Sequence, residues 1–432
     1  MNSSFQLQPH GQCGGVLYVP GDKSISHRAL MLASLAQGTS EIRGFLPSED
    51  CQATVAAFRR MGVDMEQPEH ERIRVHGVGL HGLQAPGSAL DMGNSGTAMR
   101  ILAGILCGQK FSATLTGDAS LSRRPMRRIV DPLRDMGASI SMSTQQTAPL
   151  DIRPVQALHG IDFHMPVASA QVKSCMLLAG LYASGTTCIQ SKHGCRDHTE
   201  RMLQAFSYPV EVQDNRVCLQ GGGRLEATDI EIPGDLSSAA FFIVGALISE
   251  SSQLTVKNVG INPTRCGALE ILRRMGARID IRNERHYGAE PVADLVVTSS
   301  ALRGIEIPEH LIADTIDEFP ILFIAAACAE GITELDGAEE LRVKESDRIQ
   351  TMATGLRNLG IDAREKPAGL TVRGGRLTGG VVDSGGDHRV AMAFAIASLA
   401  ATGAVRVLDT NPVVTSFPGF ADRAAQLGLR FG

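Results

Sequence analysis

A sixfold internal repeat constrains the fold of this 432-residue chain more than any other feature. In each copy a short polar turn leads into an Ala-rich apolar helix, a β-like stretch and a second helix, and the copies are spaced about 65 to 80 residues apart. Solenoid repeats are shorter, typically about 20 to 50 residues. The pattern therefore predicts an α/β protein of two similar domains with three repeated units each. The turns begin near Gly21, Gly93, Ser169, Gly234, Ile316 and Gly385.

The predicted second helices end in a matching signature that contains Gly in five copies. A Gly at this place is typical of a helix C-terminus, where the backbone turns to a left-handed conformation. In the third copy, which lacks this Gly, we expect Tyr208-Pro209 to stop the helix. The five glycines are Gly62, Gly137, Gly276, Gly360 and Gly428. The strands expected after the first helices are 39–45, 112–116, 186–191, 253–259, 332–335 and 404–408.

Composition narrows the class of protein. The formal net charge of -5 disfavours a general nucleic-acid binder with a basic surface. Nine Cys residues without a CxxC pair or zinc-ligand spacing indicate buried free thiols in a reducing compartment. Residues 1–15 show no secretory signal pattern, and the most apolar stretches, 241–248 and 390–400, are shorter than the roughly 20 residues of a membrane span. We therefore expect a cytoplasmic protein.

Several of the turns that open the first helices contain cations that a helix cap does not need. Polar residues at such turns can be explained as caps, as we expect for Asp235 and Ser237. Lys23, Arg28 and Arg389, however, lie at or near predicted helix N-termini, where the helix dipole opposes a positive charge. Backbone N–H groups at a helix start also bind anions. These positions therefore predict anionic ligands, or carboxylates that pair with the cations.

Two further segments, 122–128 and 342–348, are rich in charge. Taken alone, the first is also typical of a nucleic-acid patch, and the second of an exposed helix face with ion pairs. If 342–348 is helical, Lys344 and Arg348 share one face and Glu345 lies one step around it. A carboxylate beside two cations suits a group that handles protons next to an anion.

The sequence lacks the motifs of several other enzyme classes in the context that they need. No GxxxxGK[ST] or GxGxxG loop leads from a strand into a helix, which argues against nucleotide-driven chemistry. His193 and His198 lie near Cys195, but they have no second ligand pair and there is no HExxH motif, so we expect no metal site. The nucleophile motif GxSxG is also missing.

Five motifs together resemble the signature set of the 5-enolpyruvylshikimate-3-phosphate synthase family. The resemblance extends from Pro20 to the C-terminus. It implies two domains of three α/β units with parallel helices, the inside-out barrel of the enolpyruvyl transferases, and an active site in the interdomain cleft. It also implies that residues 1–20 and 234–432 form one domain and residues 21–233 the other. The motifs are Gly21-Asp22-Lys23-Ser24 with Arg28, the segment 93–100, Arg124-Pro125, the segment 342–348 and Asp387-His388-Arg389.

The resemblance implies transfer of the enolpyruvyl group of phosphoenolpyruvate to the 5-hydroxyl of shikimate 3-phosphate, with release of phosphate, by addition and then elimination. It implies no metal or organic cofactor, no nucleic-acid or membrane partner, and a monomer. The two substrates carry two phosphates and two carboxylates, which need a cationic cleft lined by N–H groups. Because Gly96 is retained, the resemblance also implies inhibition by glyphosate, which competes with phosphoenolpyruvate.

Residue roles follow from the resemblance position by position. Asp317 is the candidate base for the attacking hydroxyl, Glu345 is the candidate for protonating the methylene carbon, and Lys23 shares the handling of protons. The contacts expected with shikimate 3-phosphate are Lys23, Ser24, Arg28, Ser169, Ala170, Gln171, Arg196, Asp317 and Lys344. The contacts expected with phosphoenolpyruvate are Lys23, Asn94, Gly96, Arg124, Gln171, Arg348 and Arg389.

The sequence departs from the family pattern at a few positions. Thr415 stands where many members carry a Lys before the C-terminal Phe-Pro, so one cation expected near phosphoenolpyruvate is missing. Ser95 replaces a commoner Ala, Ile101 replaces a common Pro, and the segment 169–173 differs from the Ser-Ser-Gln form.

Two alternatives remain open at this point. The UDP-N-acetylglucosamine enolpyruvyl transferases share the fold and the donor, but they usually carry a Cys in the loop before Arg-Pro, and the segment 117–125 has none. A non-catalytic repeat protein that binds phosphorylated ligands or RNA would show an affinity for RNA that falls steeply with salt.

Overall fold

A computed structural model describes residues 3–192 and 194–432 of the chain. His193, at which we expected no metal site, lies outside the described residues. Helices and strands alternate along the described chain, so the fold is α/β.

The helices are α1 (Lys23–Leu35), α2 (Glu49–Arg60), α3 (Gly96–Cys107), α4 (Arg127–Asp135), α5 (Ala170–Gly180), α6 (His198–Ala205), α7 (Leu236–Ile248), α8 (Gly267–Arg274), α9 (Ile312–Thr315), α10 (Phe319–Ala327), α11 (Arg348–Asn358), α12 (His388–Ala397), α13 (Val413–Ser416) and α14 (Phe420–Leu427). Short 3-10 helices are Leu121–Arg123, Pro263–Arg265, Glu309–Leu311, Glu339–Val343 and Ser398–Ala400.

The strands are β1 (Ser4–Gln8), β2 (Gly15–Tyr18), β3 (Gln37–Arg43), β4 (Asp64–Glu69), β5 (Arg72–Val78), β6 (Leu90–Asp91), β7 (Ala113–Thr116), β8 (Ser139–Ser141), β9 (Leu150–Arg153), β10 (Leu158–His159), β11 (Asp162–Met165), β12 (Ala183–Ser184), β13 (Thr186–Ser191), β14 (Glu211–Gln213), β15 (Arg216–Gln220), β16 (Ile230–Glu231), β17 (Gln253–Gly260), β18 (Arg278–Tyr287), β19 (Glu290–Thr298), β20 (Ile332–Leu335), β21 (Asp362–Lys366), β22 (Gly369–Arg373), β23 (Gly380–Asp383), β24 (Val405–Leu408) and β25 (Arg430–Phe431).

The chain divides into two compact units. The first unit contains Met1–Pro20, Pro233–His286 and Glu290–Gly432, and the second unit contains Gly21–Ile232 and Tyr287–Ala289. Each unit has its own apolar core.

The Ala-rich helices form the centre of each unit. In the second unit α3 packs against both α1 and α5, and in the first unit α7, α10 and α12 pack against one another. Every residue of α10 is buried, and in α7 only the last residue is not. A helix that is apolar on all sides needs protein on all sides, which explains why these six helices lie inside while the amphipathic second helices lie outside.

The sheets repeat a common pairing. The strand that follows a central helix has two neighbours. It pairs in parallel with one strand, as β3 does with β16, and it pairs antiparallel with the nearer strand of a hairpin, as β3 does with β5. The N-terminal strands complete sheets of the first unit, because β1 pairs antiparallel with β24 and β2 pairs parallel with β17. The strand orders are β16-β3-β5-β4, β6-β7-β9-β8, β11-β13-β15-β14, β10-β12, β18-β19-β17-β2, β20-β22-β21 and β23-β24-β1-β25.

The predicted glycine stops of the second helices are confirmed. All five glycines have positive φ angles, from +83° at Gly360 to +113° at Gly428. In the third copy the second helix ends earlier than the predicted stop at Tyr208-Pro209. The helix α6 ends at Ala205, before the Tyr-Pro pair, because Ser207 takes the left-handed conformation with a φ of 61°.

The prediction that all nine cysteines are free thiols was wrong for one pair. Cys188 on β13 and Cys218 on β15 face each other across an antiparallel pair of strands and form a disulfide. Sequence spacing did not reveal this pair because only the strand register brings the two residues together. Elsewhere, burial raises the pKa of the Cys13 and Cys107 thiols to about 12, which keeps them protonated and unreactive.

Among the described helices, none is both long enough and apolar enough to cross a membrane.

The close approach of α3 to α5 depends on Gly104. A Cβ atom at this position would lie 2.1 Å from the carbonyl oxygen of Cys175 on α5. We expect Gly104→Ala to lower the free energy of unfolding by about 1 to 3 kcal/mol, although Ala is the better helix former. Urea unfolding measures this loss. Gly375→Ala is the control, because its added methyl meets only a side-chain atom of Ile361 at 3.6 Å. Equal stability of the two variants would contradict the argument.

Candidate active site

The first turns of α1, α3 and α5 lie together in the second unit. Each pair of these helices is linked by a side-chain contact close to the helix start. The three contacts are Ser95 Oγ to His27 Nε2 (3.4 Å), Arg100 Nη1 to Gln171 Oε1 (2.6 Å) and Arg28 Nη2 to Ser174 Oγ (2.7 Å). The cations that the sequence placed at separate helix starts are therefore near neighbours within this unit.

Lys23 is the first residue of α1, and its N-cap Asp22 accepts a hydrogen bond from the backbone N–H of Ile25 at 2.9 Å. The Lys23 ammonium forms an ion pair with the buried carboxylate of Asp50 on α2. One turn further along α1, burial and the charge of Lys23 hold the pKa of His27 well below its usual value, so this imidazole is neutral. An internal carboxylate thus offsets part of the charge that the helix dipole opposes.

Arg28 is buried one turn into α1 and is held from three sides. Its Nε donates to Thr199 Oγ1 at 2.8 Å, its Nη2 to Ser174 Oγ at 2.7 Å, and its Nη1 to the carbonyl oxygen of Ser24 at 2.9 Å. The guanidinium of one predicted contact, Arg28, is thereby anchored to the backbone of another, Ser24.

A second cationic group surrounds the start of α3 at Gly96. A Cβ atom on Gly96 would lie 3.0 Å from Nη1 of Arg100 and 3.2 Å from Nη1 of Arg124, so the glycine makes room for two guanidinium groups. Arg124 donates from Nη2 to Asn94 Oδ1 at 2.5 Å, and Arg100 donates to Gln171. The structure therefore brings together Asn94, Gly96, Arg124 and Gln171, all predicted phosphoenolpyruvate contacts.

The remaining predicted residues of this unit lie at the starts of α5 and α6. Ser169 is the N-cap of α5, where its hydroxyl accepts a hydrogen bond from the Val172 N–H, and Ala170 is the first residue of the helix. Arg196 is half-buried in the segment that precedes α6. The carbonyl group of its neighbour Cys195 accepts a hydrogen bond from Lys173 at 3.1 Å.

In the first unit the starts of α7, α10 and α12 are linked in a similar way. Arg389, the second residue of α12, donates from Nη1 to the carbonyl oxygen of Asp317 at 3.1 Å, just before α10. The next residue, Glu318, has a buried carboxylate 3.9 Å from the same Arg389 nitrogen and accepts a hydrogen bond from Ser237 on α7. As the sequence predicted, Asp235 caps α7, since its Oδ1 accepts from the Ser237 N–H at 3.0 Å.

Around Asp317 the structure collects two cations and a second carboxylate. The Oδ1 atom of Asp317 is 3.5 Å from Lys344 Nζ and 3.6 Å from Arg348 Nη1. Glu345 accepts a hydrogen bond from Arg348 Nη2 at 2.7 Å. The predicted residues Asp317, Lys344, Glu345 and Arg348 therefore form one cluster in the first unit.

Arg348 is almost completely buried and needs an anionic partner. Asp387 provides it, because its Oδ2 accepts from Arg348 Nε at 2.8 Å while its Oδ1 accepts from the Arg389 N–H at the start of α12. Burial alone would raise the pKa of Asp387, but the positive charge of Arg348 outweighs this effect and keeps the pKa below its usual value. The same carboxylate thus caps a helix and pairs with a predicted substrate contact.

The segment 342–348 is not one helix, so the condition under which Lys344 and Arg348 would share a helix face is not met. A 3-10 helix ends at Val343 and α11 begins only at Arg348, so the intervening segment is a turn. Both cations nevertheless lie close to Asp317, at 3.5 Å and 3.6 Å.

The sequence reasoning missed several residues of these clusters. Arg100 lies within the motif 93–100, but it was given no role there, although it is buried beside Gly96 and Gln171. Asp50 has no signal in the sequence, since it reaches Lys23 only by the packing of α2 on α1.

Thr415, at the position where many members of the family carry a Lys, forms a local hydrogen bond to the N-cap of its own helix. It lies in the short helix α13, and its hydroxyl donates to the carbonyl oxygen of Pro412 at 2.7 Å. In the described part of the chain no group of three or more His, Cys, Asp and Glu side chains could hold a metal ion.

The chain is similar to known proteins over nearly its whole length. Residues 7–424 match the family model described as EPSP synthase (3-phosphoshikimate 1-carboxyvinyltransferase). A 3-phosphoshikimate 1-carboxyvinyltransferase of Methylococcus capsulatus is 60% identical over 425 residues, which cover 98% of this chain and 97% of that protein. Another protein of that name, from Alkalilimnicola ehrlichii, is 57% identical over 98% of this chain and 96% of its own length.

A solved structure extends the similarity to three dimensions. The EPSP synthase of Acinetobacter baumannii has a TM-score of 0.89 and is 50% identical, with 99% of each chain covered. The chain therefore belongs to the EPSP synthase family.

Proposed function

We propose that this chain transfers the enolpyruvyl group of phosphoenolpyruvate to the 5-hydroxyl of shikimate 3-phosphate and releases phosphate, as a step towards aromatic amino acids. The proposal is supported above all by the buried cations at the helix starts of both units, in a chain that belongs to the EPSP synthase family. Around Gly96 two guanidinium groups lie at the start of a helix, an arrangement that suits an anionic ligand.

We also propose the finer architecture that the family resemblance implies. The two compact units act as the two domains, one of residues 1–20 and 234–432 and the other of residues 21–233. Each domain is built as an inside-out barrel of three α/β repeats. Their two clusters act on the same pair of substrates. The enzyme works as a monomer in the cytoplasm.

In this proposal shikimate 3-phosphate contacts the starts of α1 and α5 and the Asp317 cluster. The guanidinium of Arg28 is held in one plane, which suits bidentate binding of an oxyanion, and the N–H groups at the start of α5 face no acceptor within the helix. The full set of contacts is Lys23, Ser24, Arg28, Ser169, Ala170, Gln171, Arg196, Asp317 and Lys344.

Phosphoenolpyruvate is proposed to bind the guanidinium groups around Gly96 together with Arg348 and Arg389. Arg pairs bind carboxylate and phosphate in bidentate fashion, and the missing side chain at Gly96 lets an anion approach the helix start closely. The full set of contacts is Lys23, Asn94, Gly96, Arg124, Gln171, Arg348 and Arg389.

The proposed chemistry needs one base and one acid. Asp317 accepts the proton of the 5-hydroxyl as its oxygen bonds to the central carbon of phosphoenolpyruvate, while Glu345 delivers a proton to the methylene carbon. In the second step the Glu345 carboxylate takes a proton back from the methyl carbon, the double bond reforms, and the bond to phosphate breaks with its electrons leaving on phosphate. The candidate base Asp317 is 3.5 Å from Lys344 and 3.6 Å from Arg348.

Substitution of Glu345 tests both the reaction and the role of this carboxyl group. The wild-type protein is expected to release phosphate only when both substrates are present. Glu345→Gln keeps an acceptor for Arg348 but loses the acidic proton, so kcat should fall by about 100-fold or more while both KM values stay within about threefold. Exposed Glu339, in the preceding 3-10 helix, gives the control Glu339→Gln, which should match the wild type.

Two results would contradict this account. Absence of phosphate release by the wild-type protein would reject the proposed function. Parallel loss of substrate binding and turnover in Glu345→Gln would mean that Glu345 holds Arg348 in place and transfers no proton.

The pair of Asp387 and Arg348 predicts how stability depends on pH. Because the pKa of Asp387 is lower in the folded protein than its ordinary value of 3.8, its stabilising effect is complete above about pH 4 and is lost as the pH falls through the depressed pKa. Asp387→Asn should cost about 3 kcal/mol at pH 7, since the buried Arg348 then loses its fully buried carboxylate partner. Urea unfolding from pH 7 down to pH 3 should show that the difference in free energy of unfolding between wild type and variant becomes smaller. A gap that widens on acidification would contradict the assignment.

A further inference from the structure

Five buried polar side chains meet where α1, α5 and α6 pack together. We call them the polar seam: Arg28 on α1, Lys173 and Ser174 on α5, and Thr199 and Glu200 on α6. Each is at most 5% exposed. Only Arg28 has a role in the function proposed above. The other four therefore need an explanation of their own, because polar groups are costly in a helix interface that apolar residues could fill.

The two hydroxyl groups of the seam can be oriented by counting donors and acceptors. Ser174 donates its one hydroxyl proton to the carbonyl oxygen of Ala170 at 2.6 Å. Its oxygen is also 2.6 Å from Thr199 Oγ1, so Thr199 must be the donor of that bond. Both hydroxyl oxygens then accept from Arg28, Thr199 from Nε at 2.8 Å and Ser174 from Nη2 at 2.7 Å. One arrangement of protons satisfies every bond.

This network fixes the plane of the Arg28 guanidinium. Nε and Nη2 are tied to two hydroxyl groups on different helices, and Nη1 is tied to the carbonyl oxygen of Ser24. Bonds on all three nitrogens leave the group no rotation about its last side-chain bonds. A guanidinium that is already oriented loses less freedom when it binds an oxyanion.

The neighbouring pair of the seam holds the two helices together. Lys173 and Glu200 form a buried ion pair one residue along from Ser174 and Thr199, and Lys173 also donates to the carbonyl oxygen of Cys195 at 3.1 Å. Burial alone would lower the pKa of Lys173, but Glu200 raises it above its usual value, so the ammonium keeps its proton. The pair thereby keeps α5 and α6 in the register that lets both hydroxyl groups reach Arg28.

We propose that Ser174 and Thr199 are positioning residues that set the Arg28 guanidinium for shikimate 3-phosphate. The inference rests on the proposed function, in which Arg28 contacts that substrate. It does not make either hydroxyl a catalytic residue, because both act through Arg28.

The test compares Thr199→Val and Ser174→Ala with the wild type in the full-length protein. Each variant should raise the KM and the calorimetric Kd for shikimate 3-phosphate about tenfold, because one hydrogen bond to a charged group contributes a free energy of that size. The KM for phosphoenolpyruvate should stay within about twofold of the wild-type value. Thr199→Ser, which keeps the hydroxyl, should restore binding. The matched control is Thr187→Val, because the Thr187 hydroxyl is buried in the same unit and has no hydrogen-bond partner among the described residues.

A double-mutant cycle separates positioning from packing. In an Arg28→Lys background, Thr199→Val should change the Kd for shikimate 3-phosphate by less than about twofold, since the planar group to be positioned is gone. An effect of the same size with and without Arg28 would overturn the inference. So would an unchanged Kd in both single variants, or an equal rise of both KM values together with a lower unfolding temperature.

Failure of the proposed function itself would look different. In that case the wild-type protein would release no phosphate from the two substrates and would show no calorimetric binding of shikimate 3-phosphate, whatever stands at Ser174 or Thr199.

Discussion

Positive charge at the start of buried helices is the constraint on which both units depend. The central helices are apolar on all sides, so their first turns are the places in the core where N–H groups lack partners within the helix. Lys23 and Arg389 lie in such turns, Arg28 lies one turn into α1, and Arg348 begins the outer helix α11. A positive charge at a helix start is opposed by the helix dipole, by about 0.3 to 1 kcal/mol, and more strongly by burial. Folding tolerates them because hydrogen bonds and carboxylates hold each one.

The partners of these cations differ in a way that bears on function. Arg348 has Asp387 at 2.8 Å, a full ion pair that fixes it in place. Arg28 donates hydrogen bonds to two hydroxyl oxygens and one carbonyl oxygen, which orient its guanidinium. Around Gly96, an amide oxygen of Asn94 plays the same part for Arg124. Hydrogen bonds of this kind orient positive groups before an anion binds.

Much of the fold could be predicted from the sequence, because it rests on local rules. Helix starts at Lys23, Gly96 and His388 lie within three residues of the predicted turns, and glycines with positive φ end the second helices. The gathering of the candidate site residues into one cluster in each unit depends on packing, which no local rule supplies. For the same reason Asp50, Arg100, the hydroxyl groups of Ser174 and Thr199, and the Cys188–Cys218 disulfide were missed, since each gains its partner only when separate helices or strands pack together.

The claim that these helix starts exist to bind phosphorylated anions is tested most directly by ligand-dependent stability. The measurement is the free energy of unfolding in urea as shikimate 3-phosphate is titrated, with shikimate, which lacks the phosphate, as the matched ligand. A ligand at 100 times its Kd adds about 2.7 kcal/mol to the stability of the state that binds it. The account predicts a rise of this size with shikimate 3-phosphate and a much smaller one with shikimate at the same concentration. No rise with shikimate 3-phosphate, or an equal rise with both ligands, would contradict it.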